Sequence, residues 1–175
     1  MNTLDALFTR KSIRTFTDQP ISEADMHTIL EAGMSGPVCC NCRDWSFIVV
    51  TDKEKMNKMA DINGRVAELL RKAAACVLVC GDLERAKPRY TDFWAIDASI
   101  AIQNMTLAAW DLGIGSCWLG TWPLTEKVNA QAKLFDLPPA IVPHSIIAFG
   151  YPDEQAAAQP VKPNWEEDRV HFEKW

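Results

Sequence analysis

Asp92-Phe93-Trp94-Ala95-Ile96-Asp97-Ala98-Ser99-Ile100-Ala101-Ile102-Gln103-Asn104-Met105-Thr106-Leu107-Ala108-Ala109-Trp110-Asp111-Leu112 is the longest helical run in this 175-residue chain. A surface helix carries one apolar stripe, whereas this run is apolar on almost every side, which marks a helix buried all round. It predicts a central helix over 92–112, with one side available to a partner subunit. Gly113 then fits a left-handed C-cap, and Gly115 allows a tight turn into a strand at 116–119.

Working outward, Trp45 to Val50, Ala75 to Cys80 and Ser145 to Phe149 read as short buried strands. Ser22 with Asp25 three residues on, and Ile21 with Met26, form a capping box and a hydrophobic staple, so a helix starts at Ser22 and ends near Gly33 and Gly36-Pro37. Lys53 to Leu70 is helix-prone with a break at Asn63-Gly64, and Thr125 to Phe135 is a further helix with Val128, Ala132 and Phe135 on one face. Helices alternate with short strands and no linker divides them. The chain is therefore one α+β or α/β domain, residues 1–175, with a small sheet flanked by helices. The stretch 153–175 has little periodicity but carries Trp165, Phe172 and Trp175. Those rings need a cover, and a C-terminal arm lying on a second subunit supplies one.

Composition narrows the function. With 48% hydrophobic and 23% charged residues the chain can build an ordinary core, burying about 70% of its unfolded surface. A formal charge of -5 argues against sequence-independent binding to nucleic acid, which needs a positive field. No apolar stretch is long enough to span a membrane and the start lacks a secretory layout, so a cytoplasmic protein is expected. Six cysteines in such a chain are read as reduced thiols, with Cys76 and Cys80 inside a strand.

Against the acidic background, Arg10-Lys11-Ser12-Ile13-Arg14 gathers three cations and a hydroxyl after a short amphipathic segment with Leu4, Leu7 and Phe8. Guanidinium forks match phosphate oxygens in pairs, so the cluster suits a phosphate monoester, although a solvated charge run at a helix end has the same composition. Gly113-Ile114-Gly115 does not make a dinucleotide fingerprint, because it follows a helix and precedes a strand. Cys39-Cys40-Asn41-Cys42 has no second ligand pair, and His27, His144 and His171 are scattered, so no metal is expected and the thiols are read as packed or site-lining. Asp97 is read as a helix-helix hydrogen-bonding group; Gln103 and Asn104 are left between packing and ligand contact.

Five segments together resemble the nitroreductase family: Arg10 to Phe16, Pro37 to Phe47, Asp97 through Gln103 to Ala109, Leu112 to Gly120, and Ala148-Phe149-Gly150-Tyr151-Pro152. They occur in that family's order and spacing and cover nearly the whole chain. The resemblance implies a nitroreductase-like α+β fold with a mostly antiparallel sheet, an intertwined homodimer, and FMN at the subunit interface. It places Arg10, Lys11, Ser12 and Arg14 at the FMN phosphate and ribityl chain. It further implies that Pro37, Val38, Cys39, Asn41 and Arg43 form the segment laid against the partner's flavin, and that Leu119 and Gly120 offer backbone N–H to flavin N5. Lys162 is the nearest candidate for a further basic residue at the phosphate.

By the same resemblance, two electrons pass from NADPH or NADH through the flavin to a nitroaromatic, quinone or similar flat acceptor, with ping-pong kinetics and no catalytic side chain. Tyr90, Phe93, Trp94 and Trp122 are candidates for the acceptor pocket, since flat rings stack on flat substrates, and core packing is the competing reading. Val38, Arg43 and Asp44 depart from the residues common in the family. A cation at Arg43 near the flavin pyrimidine would favour the anionic reduced form and raise the reduction potential. A flavin carrier or sensor without turnover, an enone reductase or dehalogenase, and a cofactor-free scaffold stay open beside this reading.

Overall fold

A computed structural model describes residues 1–158, 160–161 and 165–175. Its elements in chain order are α1 (Thr3–Thr9), α2 (Glu23–Met34), β1 (Trp45–Val50), α3 (Lys53–Asn63), β2 (Ala75–Asp82), α4 (Trp94–Asp111), β3 (Gly115–Gly120), α5 (Thr125–Leu134), β4 (Ile141–Gly150) and α6 (Glu154–Ala158). Short 3-10 turns occupy Cys39–Asn41, Arg65–Arg71, Thr91–Phe93 and Glu167–Arg169. No described helix is long and apolar enough to cross a membrane.

The four strands form one antiparallel sheet in the order β1-β2-β4-β3. Alternate side chains leave opposite faces of a strand, and β2 uses both. Cys76, Leu78 and Cys80 pack with Met56, Met59 and Leu70 on one face, while Ala75, Val77 and Val79 pack with Ala98, Ile102 and Met105 on the other. Helix α4 thus lies against the sheet as the long apolar run predicts. Helix α2 closes over it at Gly33, where a Cβ would stand 2.6 Å from the Met105 side chain. Ser22 caps α2 by accepting from the Asp25 N–H, and the Asn63-Gly64 break separates α3 from the following 3-10 turn. β4 runs four residues earlier than expected because Pro143 is accommodated beside the register shift at Val79 and Cys80, where the ladder does not need its missing N–H.

One expectation is corrected. Helix α4 is not buried all round: Ile96 is 52% exposed, Phe93 at its start is exposed, and Gln103 faces out. The sheet and α2 cover the helix within a single chain, and the side carrying Ile96 and Gln103 is left open. The C-terminal rings Trp165, Phe172 and Trp175 are exposed within one chain. Helix α1 repeats the pattern, burying Ala6 and leaving Leu4, Leu7 and Phe8 outside.

Candidate functional site

A cleft of about 530 Å³ opens where the N-terminal segment crosses β3. Ile13 donates its N–H to the Ser116 carbonyl at 2.9 Å, Ser12 bridges Ser116, and the Ile13 side chain is buried against Gly115. Gly115 has to be glycine for this approach, since a Cβ would sit 2.7 Å from Ile13. With Ile13 seated, Arg14 lines the cleft. Burial pushes the Cys117 thiol up, and the charges of Arg14 and Arg10 pull it back, so both guanidiniums act on this end of the site. The Lys11 ammonium donates to the Ala157 carbonyl at 2.9 Å, tying the segment to α6.

Leu119 and Gly120 line the same cleft. A Cβ on Gly120 would meet nothing within 4 Å, so the backbone there is bare toward the opening. Its orientation is fixed from behind. Asn63 donates to the Gly120 carbonyl at 3.2 Å and to the Thr121 hydroxyl at 3.1 Å, and receives a bond from Gln131 at 2.9 Å. Lys127 holds the Asn63 carbonyl at 2.9 Å. The remaining walls come from Arg65, Val66 and Leu69 on the 3-10 turn after Gly64 and from Trp118. These four escaped the sequence reading. For Arg65, Val66 and Leu69 the signal was a cation directly after a helix break, followed by apolar residues one turn apart.

Beside the cleft, Trp118 donates to the Ser145 hydroxyl at 2.7 Å, and Ser145 meets His144 Nδ1 at 3.0 Å. Burial lowers the His144 pKa to about 4 against a backbone bond to Ala95, so the ring is neutral near pH 7. Trp122 stacks on His144 with ring centres 6.2 Å apart. Trp94 corrects one pocket expectation. It is buried, with its ring pressed onto Gly81 and its edge toward Trp122 and His144, so it supports other rings from within the fold. Tyr90, Phe93 and Trp122 are exposed.

Pro37, Val38, Cys39, Asn41 and Arg43 do not line this cleft. Cys40, Asn41 and Arg43 all take positive φ, a conformation that costs non-glycine residues energy and needs support from its surroundings. Part of that support is Asp97, which accepts the Cys39 N–H at 2.9 Å and so replaces the helix-helix role expected of it. Partial burial and the neighbouring Cys40 thiol raise the Cys39 thiol to about 11. Arg43 lies over the Trp45 ring at 5.2 Å and borders a separate hollow with Met34 and Ser35. Lys162 falls outside the described residues.

The model of the Nitroreductase family matches residues 7–78 and 63–151. A protein of Archaeoglobus fulgidus assigned as an NADH dehydrogenase/NAD(P)H nitroreductase is 39% identical over 172 residues, covering 98% of this chain and 98% of that one. A Bacteroides thetaiotaomicron crystal structure with the same assignment superposes with a TM-score of 0.90 at 34% identity, covering 98% and 97% of the two chains. An FMN-dependent nitroreductase from Clostridium difficile reaches 0.88 at 27% identity over 99% and 100%. The order of elements, the crossing of the N-terminal segment over β3 and these likenesses agree: the chain belongs to the nitroreductase family.

Proposed function

We propose that this chain is an FMN-dependent oxidoreductase that takes two electrons from NADPH or NADH and passes them to a flat acceptor, a nitroaromatic or a quinone. One observation carries the reading: a single cleft joins Arg14, in reach of the Arg10 charge, to the bare backbone of Leu119 and Gly120. The volume lies in the range of small-molecule sites, and the donor set suits a group with an anionic tail and a flat apolar body. FMN is such a group, and when bound it supplies the hydride chemistry.

The chain's own part is binding and orientation. Arg14 and Arg10 neutralise the phosphate, with Ser12 beside them, and Val66 and Leu69 exclude water from one side. The backbone of Leu119 and Gly120 points a dipole at the flavin edge, held in place by Asn63. Trp122 and Phe93 offer exposed rings on which an acceptor stacks. A homodimer completes the site, because the 37–43 segment does not line its own cleft, and the exposed faces of α1, α4 and the C-terminal rings need a cover.

The test is anaerobic. Purified protein loaded with FMN is expected to bleach on adding NADPH or NADH and to recover its yellow colour with a quinone or nitroaromatic. A yellow protein that neither donor bleaches makes the chain a flavin carrier instead, and one that takes up no FMN overturns the assignment.

A further inference from the structure

Behind the 39–44 loop lies a group of side chains that the flavin reading does not use. The Cys42 thiol, the Asp44 carboxylate and the Asp97 carboxylate place one ligand atom each within 4.8 Å of one another. Asp44 is only 1% exposed and Asp97 only 2%. Neither forms an ion pair among the described residues. Asp44 Oδ1 is also buried without a hydrogen-bond partner among them.

Two buried carboxylates side by side repel, and a buried carboxylate oxygen with no partner carries a desolvation cost. One proton shared between them relieves the first problem and leaves the second. A divalent cation neutralises the pair and offers the Asp44 carboxylate a partner.

We propose that Cys42, Asp44 and Asp97 form a binding site for a zinc-class divalent cation. The donor set fixes the class: one sulfur with two carboxylate oxygens suits borderline zinc or cobalt, whereas magnesium and calcium require oxygen alone. Three protein ligands leave a fourth tetrahedral position for water. Cys42 binds as the thiolate, with its proton passing to solvent. Cys39 and Cys42 do stand in C-x-x-C spacing, but Cys39 spends its N–H on Asp97 and its sulfur lies 3.8 Å from that of Cys40. Metal binding would pin the positive-φ loop to α4 from a second point, beyond the single Cys39 to Asp97 bond.

The experiment uses reduced, chelator-treated full-length protein with its flavin in place. Zinc uptake is measured by equilibrium dialysis, and alkylation of each thiol is followed by mass spectrometry with and without zinc. The expected result is one zinc per chain, slowed alkylation of Cys42 and unchanged alkylation of Cys40. Cys42→Ser and Asp44→Asn are expected to weaken uptake by at least about tenfold, while Cys40→Ser keeps it. Alkylation of Cys42 that zinc does not slow overturns the site, as does uptake that survives Asp44→Asn but is lost in Cys39→Ser. If Asp44→Asn fails to fold, the contrast between Cys42 and Cys40 in the unmodified protein decides alone.

Discussion

The Asn63 side-chain amide donates to the Gly120 carbonyl across 57 residues of sequence, so a residue at the end of α3 sets the backbone that faces the cleft. Its partners Thr121 and Gln131 are buried with it. Asn63→Ala leaves the Gln131 amide and the Thr121 hydroxyl short of partners. It is expected to lower unfolding stability by about 1–3 kcal/mol. It also frees the Gly120 peptide to turn. Urea denaturation and FMN titration together check this: a loss of stability with unchanged FMN affinity would separate the network from the site.

Arg14→Ala is expected to weaken FMN binding by about tenfold to a hundredfold, the loss of a charge-assisted bond. The unmodified protein should also lose affinity as salt rises, and the variant less so. Fluorescence titration in low and high salt measures both. Equal affinities would remove Arg14 from the phosphate.

Trp94→Ala is expected to behave as a core truncation, costing about 3–5 kcal/mol, with the ranking of acceptors unchanged. Gly81→Ala should destabilise from the other side of the same contact, because its Cβ would run into the indole. Thermal melts and an acceptor panel distinguish this from a pocket role.

His144 gives the fold a sensitivity to acid. Its pKa falls from 6.5 in the unfolded chain to about 4 in the fold. The neutral ring therefore contributes stability that is fully present above about 6.5 and is lost as pH drops through about 4, amounting to about 3 kcal/mol. His144→Phe should flatten that part of the stability-against-pH curve. Curves of unmodified protein and variant that stay parallel between pH 7 and 4 would refute it.

Arg43→Gln is expected to lower the flavin reduction potential by removing a cation from beside the ring. Arg43 lies outside its own cleft, so the effect operates only through the partner's flavin. A redox titration showing no drop in the variant would exclude that placement.

How much could be read from residues alone follows the range of the interactions involved. The strand cores at 45–50 and 75–80, the Ser22 cap and the Asn63-Gly64 break depend on neighbours in sequence, and each appears where the pattern puts it. The orientation of Trp94 depends on Gly81, and the role of Asp97 depends on a loop 58 residues away, so periodicity on one helix could not reveal either. Arg65 and Leu69 reach the cleft only because the chain turns at Gly64 and passes over β3. The burial expected around all of α4 failed for another reason: apolar character records everything a helix will touch, including surfaces that its own chain does not provide.

β3 pairs with β4 on one side, and on the other the chain covers it only near Ser116, where Ser12 bridges across. From Cys117 to Gly120 that outer margin has no strand beside it among the described residues. An uncovered strand margin is a template for joining another sheet, so residues 117–120 are where a second copy of the chain would add on. Anything laid along that margin, a strand or a partner subunit, closes the route, and protection from aggregation would then depend on assembly.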